Sequence, residues 1–357
     1  MNKFILFFSL VCPLLYAFKN SFKTKTNTDT DTECPIVQTP GQDRRQNKNF
    51  LRLVQYNAEW LFVDEYTAFG CPGDNCPWKN VSEAEIHLSY VAKVINDLKP
   101  DIINLCEVEG CDELQMVKEE MVDSDSYNTY LKKGTDTGTG QNVGMLTKID
   151  PLVSLYRTEN RYSYPIEGSK CGYNTSTSLD TSVSKHYITE FEFADLPIAF
   201  ISAHLIAIPT DPARCAQREA QAMVLQQVIA GYAEKDYEII MIGDFNDYDG
   251  EVLDVNSNQP ISQVLDILKG KAGINAGKYE LSSVTETIVQ TQRFSDWWDS
   301  DNNCNTSSPF DFSMIDYILV TENIKKYISN TTIYHGYDEY CGTYNSDHYP
   351  VIIDFSL

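Results

Sequence analysis

The feature that most constrains the fold is an alternation of strand-like and helix-like segments from Leu51 to the last residue. Short runs of β-branched and other apolar residues are typical of buried strands, and longer stretches with helical periodicity separate them. The strand-like runs are residues 51–56, 102–106, 198–203, 238–242, 314–320 and 351–355. This alternation predicts a layered α/β domain.

Two of the intervening segments carry helix start signals. Ser82 is a candidate N-cap with Glu85 as its capping-box partner. The apolar residues that follow fall on one helical face: Leu88, Val91, Ala92, Ile95 and Leu98. Asp211-Pro212 predicts the start of a second helix and Gly231 its end.

The segment before residue 50 differs in character. After Lys3 the chain has 15 uncharged residues that end in Ala17-Phe18, which is shorter than the ~20 apolar residues of a membrane span. This pattern predicts a signal peptide over residues 1–17. The alternative is an uncleaved anchor, which Pro13 and the polar residues from Lys19 onward oppose. Residues 18–49 predict a flexible polar lead-in, which leaves one folded domain over residues 50–357.

Three further features agree with export. No later apolar stretch has membrane length, and nine of the ten cysteines remain after the signal peptide. Four Asn-x-Ser/Thr sequons predict N-glycosylation at Asn80, Asn174, Asn305 and Asn330. We therefore expect the protein outside the cell or in the lumen of the secretory and endolysosomal system.

The cysteine spacing favours local disulfides. Cys71 lies close to Cys76 in the sequence, and Cys106 lies close to Cys111, so each pair can form a bridge. A zinc site is disfavoured because no histidine converges on these pairs. Further predicted bridges are Cys171–Cys215 and Cys304–Cys341, which leaves Cys34 free.

The charge balance limits the possible partners. The chain has 28 Lys and Arg residues against 51 Asp and Glu residues, a formal net charge of −23. Binding to a polyanion through bulk charge requires clustered basic residues, which such a chain lacks. Phosphate chemistry would therefore need a metal cation to offset the local repulsion.

Chemically capable side chains lie at the ends of the strand-like runs. These side chains come from six separate places along the chain. They are Asn57, Glu59, Glu107, His204, Asp244, Asn246, Asp247, Asp316, Asp347 and His348. Strand ends are where layered α/β proteins build their sites. Amide, carboxylate and imidazole groups delivered from six places exceed what packing requires, so the pattern predicts a functional site.

The residue types indicate the chemistry. Glu59, Glu107 and Asp347 offer hard oxygen ligands, which suit Mg²⁺, Mn²⁺ or Ca²⁺ better than zinc. Carboxylate and amide groups at Asp244 and Asn246 can hold a water and a substrate oxygen. The two strand-end histidines, His204 and His348, can stabilise developing negative charge or move a proton. The set describes metal-assisted hydrolysis of a phosphate ester.

Six motifs in order carry a family resemblance. They are Gln55-Tyr-Asn57-Ala-Glu59, Leu105-Cys-Glu107-Val-Glu109, Ser202-Ala-His204-Leu205, Ile242-Gly-Asp244-Phe-Asn246-Asp247, Met314-Ile-Asp316-Tyr317 and Ser346-Asp347-His348-Tyr-Pro350. Together they resemble the endonuclease/exonuclease/phosphatase superfamily, over residues 51–357. The resemblance implies a four-layer α/β/β/α sandwich of two packed mixed sheets with outer helices.

The resemblance also implies roles for individual residues. Asn57, Glu59 and Glu107 match the family's metal and phosphate positions, and Asp347 matches a further metal ligand. The expected cofactor is Mg²⁺, with Mn²⁺ or Ca²⁺ as alternatives.

The remaining motif positions match the family's catalytic residues. His204 matches the histidine that contacts the scissile phosphate, and Asp244 and Asn246 match the pair that orients the attacking water and the phosphate. Asp316 matches the carboxylate that partners the final histidine, His348. Which residue is the general base stays open.

Several function classes remain open within the resemblance. A secreted nuclease is favoured, with nucleic acid as substrate, and a phosphatase or a sphingomyelinase-like lipid phosphodiesterase is the alternative. Inositol-phosphate phosphatases carry a Trp before Gly-Asp and a Trp-Cys-Asp-Arg segment near the later Asp, whereas the matching segments here are Met241-Ile-Gly-Asp244 and Ser313-Met-Ile-Asp316, which disfavours that subfamily. A non-catalytic binding protein on the same fold is a second class, which the intact motif set opposes. The sequence indicates no protein partner, and we expect a monomer without a membrane span after signal cleavage.

Candidate contacts to nucleic acid are few. Basic residues near the motifs are Arg214, Arg218, Lys170 and Lys185. Trp297 and Trp298 can stack on a base, although core packing is favoured for this pair.

Overall fold

A computed structural model of the chain describes residues 33–63, 71–73, 76–299, 303–304, 309–337 and 343–357. The predicted signal peptide over residues 1–17 and the lead-in up to residue 32 lie outside these ranges. None of the helices in the described ranges combines the length and the apolar character that a membrane span requires.

Strands dominate the described residues. They are β1 (Phe50–Leu61), β2 (Ile102–Val108), β3 (Asn128–Leu131), β4 (Asn142–Thr147), β5 (Tyr162–Tyr164), β6 (Leu179–Thr181), β7 (Lys185–Phe193), β8 (Leu196–His204), β9 (Glu238–Asp244), β10 (Ser282–Ser283), β11 (Asp296–Trp297), β12 (Phe312–Ser313), β13 (Asp316–Val320), β14 (Ile328–Ile333) and β15 (Val351–Ser356). The helices are α1 (Val81–Leu98), α2 (Cys111–Glu119), α3 (Pro212–Ala233), α4 (Val264–Leu268) and α5 (Glu322–Lys325).

Two mixed sheets form the centre of the fold. The first has the strand order β14-β15-β1-β2-β4-β3, and the second has the order β10-β13-β9-β8-β7. Each contains one parallel pair, β1 with β2 and β8 with β9, among antiparallel neighbours. Two short pairs, β5 with β6 and β11 with β12, lie outside these sheets.

The alternation of side chains along β1 explains the layers. Leu51 and Leu53 belong to the core cluster shared with the second sheet, whereas Val54 and Tyr56 belong to the cluster shared with α1 and α2. Successive side chains of a strand point to opposite faces, so the first sheet is buried on both sides. Helix α3 contacts β9 of the second sheet. The predicted four-layer α/β/β/α sandwich is confirmed.

The start of α1 differs from the prediction by two residues. Asn80, not Ser82, is the N-cap, and its side chain accepts a hydrogen bond from the Glu83 backbone N–H. Glu83 also accepts from the Lys79 backbone N–H. The Asn side chain is as good a helix cap as Ser, so the sequence alone allowed both starts.

The described part of the lead-in, residues 33–49, is fixed to the first sheet. Asp43 bridges to Ile149, and the Arg44 guanidinium donates to the Asp150 carboxylate at 2.9 Å. Cys34 is bonded to Cys111 at the start of α2. Ordered structure therefore begins before residue 50, because these contacts replace the apolar face that the segment lacks.

The disulfides correct two predictions and confirm two. Cys71–Cys76 and Cys171–Cys215 are bonded as predicted. Cys106 does not pair with Cys111; it is buried and free, and the predicted free Cys34 pairs with Cys111 instead. Cys106 faces the core between the sheets, whereas Cys34 and Cys111 lie in the core on the helix side. Cys304 is also disulfide-bonded, and Cys341 lies outside the described residues.

Removal of the Cys34–Cys111 bridge should cost more stability than removal of Cys71–Cys76. The first joins residues 77 apart and the second residues only 5 apart. Because a longer loop loses more entropy when it is closed, replacing both cysteines of the first bridge by serine should cost about 2–5 kcal/mol. Urea unfolding of the two double variants measures this difference, and non-reducing peptide mapping that links Cys106 to Cys111 would contradict the assignment.

Gly243 allows the second sheet to close just before the Asp244 carboxylate. Its φ is +147°, and a Cβ at this position would collide with the backbone carbonyl of Ala203 on β8. Gly243→Ala should therefore destabilise the protein by at least about 1–3 kcal/mol. Gly231→Ala is the matched control, because nothing lies within 4 Å of that Cβ in α3 and alanine favours a helix by about 0.5–1 kcal/mol. Equal urea midpoints for the two variants would refute this account.

Candidate active site

All nine residues predicted for the site lie at one end of the two sheets. They come from β1 (Asn57 and Glu59), β2 (Glu107), the last residue of β8 (His204), the last residue of β9 and the loop after it (Asp244 and Asn246), the first residue of β13 (Asp316), and the segment before β15 (Asp347 and His348). The register places Asp244 opposite both His204 and Asp316. Each of the nine is joined to another by a contact described below.

Asn57 lies at the centre of the cluster. The alternation along β1 directs its side chain toward the second sheet, and it is fully buried. Its Nδ2 donates to Asp244 Oδ2 at 3.0 Å and to Glu107 Oε1 at 3.3 Å, and it lies 3.4 Å from His348 Nε2. One amide therefore links both sheets and the segment before β15.

Two β-bulges aim the acidic residues at this centre. Glu107 has φ +62°, and the pairing of β2 with β4 shifts register between Cys106 and Val108. Cys106 and Val108 consequently face opposite sides of the sheet. Glu59 has φ +47° in a similar irregularity of β1. Left-handed backbone at residues other than glycine is costly and concentrates at functional sites.

Glu59 on β1 contacts Asp347 in the segment before β15. The Asp347 backbone N–H donates to Glu59 Oε2 at 3.1 Å, and the Glu59 N–H donates to Asn57 Oδ1 at 3.0 Å. On the opposite side, Glu107 Oε2 accepts from the Trp60 N–H at 3.0 Å. Backbone donors therefore orient both glutamates.

His348 and Asp316 form a buried pair. His348 Nδ1 lies 2.7 Å from Asp316 Oδ2, which also accepts from Ser295 Oγ at 2.9 Å. Gln55 Nε2 donates to the other Asp316 oxygen at 3.1 Å. Burial by itself lowers the pKa of His348, but the carboxylates of Asp316, Asp347 and Asp296 outweigh it and hold that pKa well above its usual range.

His204 is the second histidine of the cluster. Its Nε2 lies 3.6 Å from Asp244 Oδ2 and 3.9 Å from Glu107 Oε1. Burial, followed by the charges of Lys185 and His348, holds the pKa of His204 well below its usual range. Its buried Nδ1 has no hydrogen-bond partner among the described residues. His204 is therefore a neutral ring with an unpartnered nitrogen.

Asp244 and Asn246 complete the cluster at the end of β9. Burial and the Asp316 charge raise the pKa of Asp244 to about 8. The Asn246 backbone N–H donates to Asp244 Oδ1 at 2.9 Å, and its side-chain amide donates to the Leu205 carbonyl at 3.2 Å. Asn246 has φ +51°, which makes it the third site residue with left-handed backbone.

Comparison with known proteins decides the family. A family model described as the endonuclease/exonuclease/phosphatase family matches residues 75–348. The chain belongs to this family. No curated protein matches the chain.

Solved structures of the endonuclease/exonuclease/phosphatase fold are similar to this chain. One is the endonuclease/exonuclease/phosphatase from Bacteroides vulgatus, at 16% identity and a TM-score of 0.52, with 87% of this chain and 100% of that chain covered. Another is D. rerio TDP2 humanised by 14 mutations, at 17% identity and a TM-score of 0.50, with the same coverage. At these identities the likeness shows the fold alone.

Members of this family are generally metal-dependent phosphoesterases, and the donor set here fits a divalent cation. Of the described residues, only His204 forms an ion pair with Glu107 and Asp244, and its low pKa keeps it neutral. The Glu107 carboxylate therefore has no cationic partner among the described residues, and carboxylate oxygens are the ligands that Mg²⁺, Mn²⁺ and Ca²⁺ prefer. Ligand atoms of Asp296, Asp347 and His348 also lie within 4.8 Å of one another.

Several residues of the site lie outside the motifs recognised in the sequence. Asp296 is buried on β11, with one carboxylate oxygen 3.7 Å from His348 Nε2 and the other bonded to Ser313 Oγ at 2.9 Å. Burial raises the pKa of Asp296 to about 6. Ser295 and Gln55 hold Asp316, as described above. Asp296 and Ser295 lie in no recognisable motif, and only the bridge between β11 and His348 places them here.

The candidate nucleic-acid contacts separate into two groups. Arg218 is fully buried and bonds the Asp247 carboxylate and the Ile206 carbonyl, so it is a structural residue. Lys185 lies opposite His204 in the register of β7 with β8 and donates to Gln141 Oε1 at 3.1 Å. Arg214 and Lys170 are exposed. Trp297 is buried, as favoured, whereas Trp298 is 67% exposed.

Proposed function

We propose that this protein is a secreted, divalent-metal-dependent phosphodiesterase that hydrolyses nucleic acid. The observation that carries the proposal is the convergence of Asn57, Glu107, Asp244 and His204 in one cluster of contacting side chains, with the His348–Asp316 pair beside them. A binding protein has no chemical need for two buried histidines of opposite pKa shift beside a carboxylate whose pKa is raised to about 8.

The proposed cation is Mg²⁺, held by Glu59, Glu107 and Asp347 with the Asn57 amide beside them. Such an ion would offset the charge of the carboxylates and of the scissile phosphate. The structure supports this ligand set because backbone N–H groups orient the carboxylates of Glu59 and Glu107.

The remaining residues would act on the water and the phosphate. Asp244 and Asn246 are positioned to orient the attacking water, and the raised pKa of Asp244 suits acceptance of its proton near neutral pH. Neutral His204 would donate a hydrogen bond to a phosphate oxygen. His348, kept protonated by Asp316, would stabilise negative charge or protonate the leaving oxygen.

Two observations favour nucleic acid over a lipid substrate. Lys185 lies opposite His204 and, although it is buried and paired with Asp136 at 3.7 Å, would add positive charge near a neighbouring phosphate of a polyanion. Exposed Trp298 directly follows Trp297, whose backbone N–H donates to the Asp347 carbonyl at 2.9 Å. An exposed aromatic ring one residue from this contact is suited to stacking on a base.

Secretion is supported by the three described disulfides and by the sequons. Asn80, Asn174 and Asn330 are exposed, as glycan attachment requires, and Asn305 lies outside the described residues. Disulfides persist in oxidising compartments.

A substrate panel tests the proposal. Protein secreted from a eukaryotic host is assayed in Mg²⁺ against single- and double-stranded DNA, RNA, sphingomyelin, phosphoinositides and a phosphomonoester, with EDTA as the control. We expect hydrolysis of a nucleic acid that EDTA abolishes and Mg²⁺ or Mn²⁺ restores. Exclusive hydrolysis of a lipid or a monoester would replace the proposed substrate, and full activity in EDTA would exclude the metal-dependent mechanism.

A further inference from the structure

Residues 58–60 of β1 form no pairs in its register with β2 or β15. Glu59 and Trp60 both have left-handed backbone, with φ of +47° and +48°. Two side chains outside the sheet contact the carbonyls of this bulge. His87 Nε2 lies 2.7 Å from the Ala58 carbonyl oxygen, and Trp78 Nε1 donates to the Trp60 carbonyl at 2.9 Å.

The second nitrogen of His87 reaches a distant part of the chain. His87 Nδ1 lies 2.9 Å from the carbonyl oxygen of Tyr344, three residues before Asp347. The same two segments also meet where Ser346 Oγ donates to the Asn57 carbonyl at 2.7 Å. One imidazole therefore lies between the bulge that carries Glu59 and the segment that carries Asp347.

The ring of His87 is firmly held. It is fully buried on α1, and it stacks on Trp78 with ring centroids 4.1 Å apart and an angle of 18° between the planes. A carbonyl oxygen only accepts, so each contact needs a proton on the facing nitrogen. Burial lowers the pKa of His87 to about 4, so at neutral pH the ring carries one proton and donates a hydrogen bond to only one of the two carbonyls.

We propose that His87 is a positioning residue, a clamp whose buried ring lies between the Ala58 and Tyr344 carbonyls, donates to one of them and so sets the separation of Glu59 and Asp347. His87 touches neither substrate nor cation in this scheme. The metal-binding consequence rests on the proposed function, whereas the clamp itself does not. Residues that support metal ligands from behind commonly change metal affinity or activity by 10–100-fold when they are replaced.

The test compares His87→Ala and His87→Gln with Val91→Ala. Val91 is also buried on α1, one helical turn from His87, and Val91→Ala removes core packing without touching either carbonyl. Amide hydrogen exchange of the metal-free protein is the first measurement, at the N–H groups of Asp347 and His348, which donate to Glu59 and Ser346. Calorimetric Mg²⁺ affinity without substrate is the second.

We expect His87→Ala to speed exchange at Asp347 and His348 by about tenfold or more and to weaken Mg²⁺ binding by about 10–100-fold. Val91→Ala should change neither by more than about twofold, even at an equal loss of melting temperature. His87→Gln keeps one donor and should fall between wild type and His87→Ala. If His87→Ala does not fold, His87→Gln decides the comparison.

The outcomes separate the two proposals. Unchanged exchange in the folded His87 variants, or equal acceleration in Val91→Ala, would overturn the clamp. If exchange is faster in the His87 variants but the wild-type protein neither binds Mg²⁺ nor cleaves a phosphate ester, the clamp is supported and the proposed function is refuted.

Discussion

His348→Ala should lower turnover of a phosphodiester by about 10²–10⁴-fold, the usual contribution of a positioned acid–base group. The physical reason is that Asp316, Asp347 and Asp296 keep the ring protonated, and Asp316 fixes its orientation through Nδ1 at 2.7 Å. Steady-state kinetics at saturating Mg²⁺ measures the loss. Calorimetry should show that Mg²⁺ still binds, since the proposed ligands Glu59 and Glu107 remain.

Asp316→Asn should act in the same direction, and the double variant should lose far less than the product of the two single losses. Residues that work as one unit are strongly non-additive. Asp354→Asn on β15 is a suitable control because it breaks a bonded pair with Arg52 on β1 and changes none of the site residues. It should lower stability and leave turnover unchanged. Strictly multiplicative losses for His348 and Asp316 would contradict the pair.

Glu107→Gln should raise the Mg²⁺ concentration needed for half-maximal activity by at least about tenfold and sharply lower turnover. The substitution keeps the shape of the side chain but removes one negative charge from the site. Titration of activity with Mg²⁺, together with EDTA inactivation of the wild type, measures both effects. Urea unfolding should show that the variant remains folded.

Glu109→Gln is the matched control, two residues along the same chain segment. Glu109 is buried, and its Oε2 accepts from the Val63 backbone N–H at 3.0 Å. Its replacement should affect stability more than Mg²⁺ dependence. If Glu107→Gln kept the wild-type Mg²⁺ dependence and turnover, Glu107 would have no place in the proposed cation site.

The sequence alone was sufficient to group the site residues. Asn57, His204, Asp244 and Asp316 each end or begin a short apolar run, and strands of a layered domain bring such ends to one edge. Local periodicity encodes this arrangement, so it was readable without coordinates. The strand–helix alternation indicated only a layered α/β domain, and the four-layer sandwich was implied by the family resemblance; the structure shows that both faces of β1 are covered.

Only the tertiary structure decided the contacts between segments that are distant in sequence. The left-handed backbone at Glu107 reverses the alternation of β2, separates Cys106 from Cys111 and turns the carboxylate into the site. Asp296 and His87 reach the site through contacts with remote segments, the bridge to His348 and the contact with the Tyr344 carbonyl, and no local pattern encodes these contacts. Periodicity records which face a residue prefers, whereas a bulge, a disulfide partner or a buried clamp depends on which remote atoms the packed sheets bring within bonding distance.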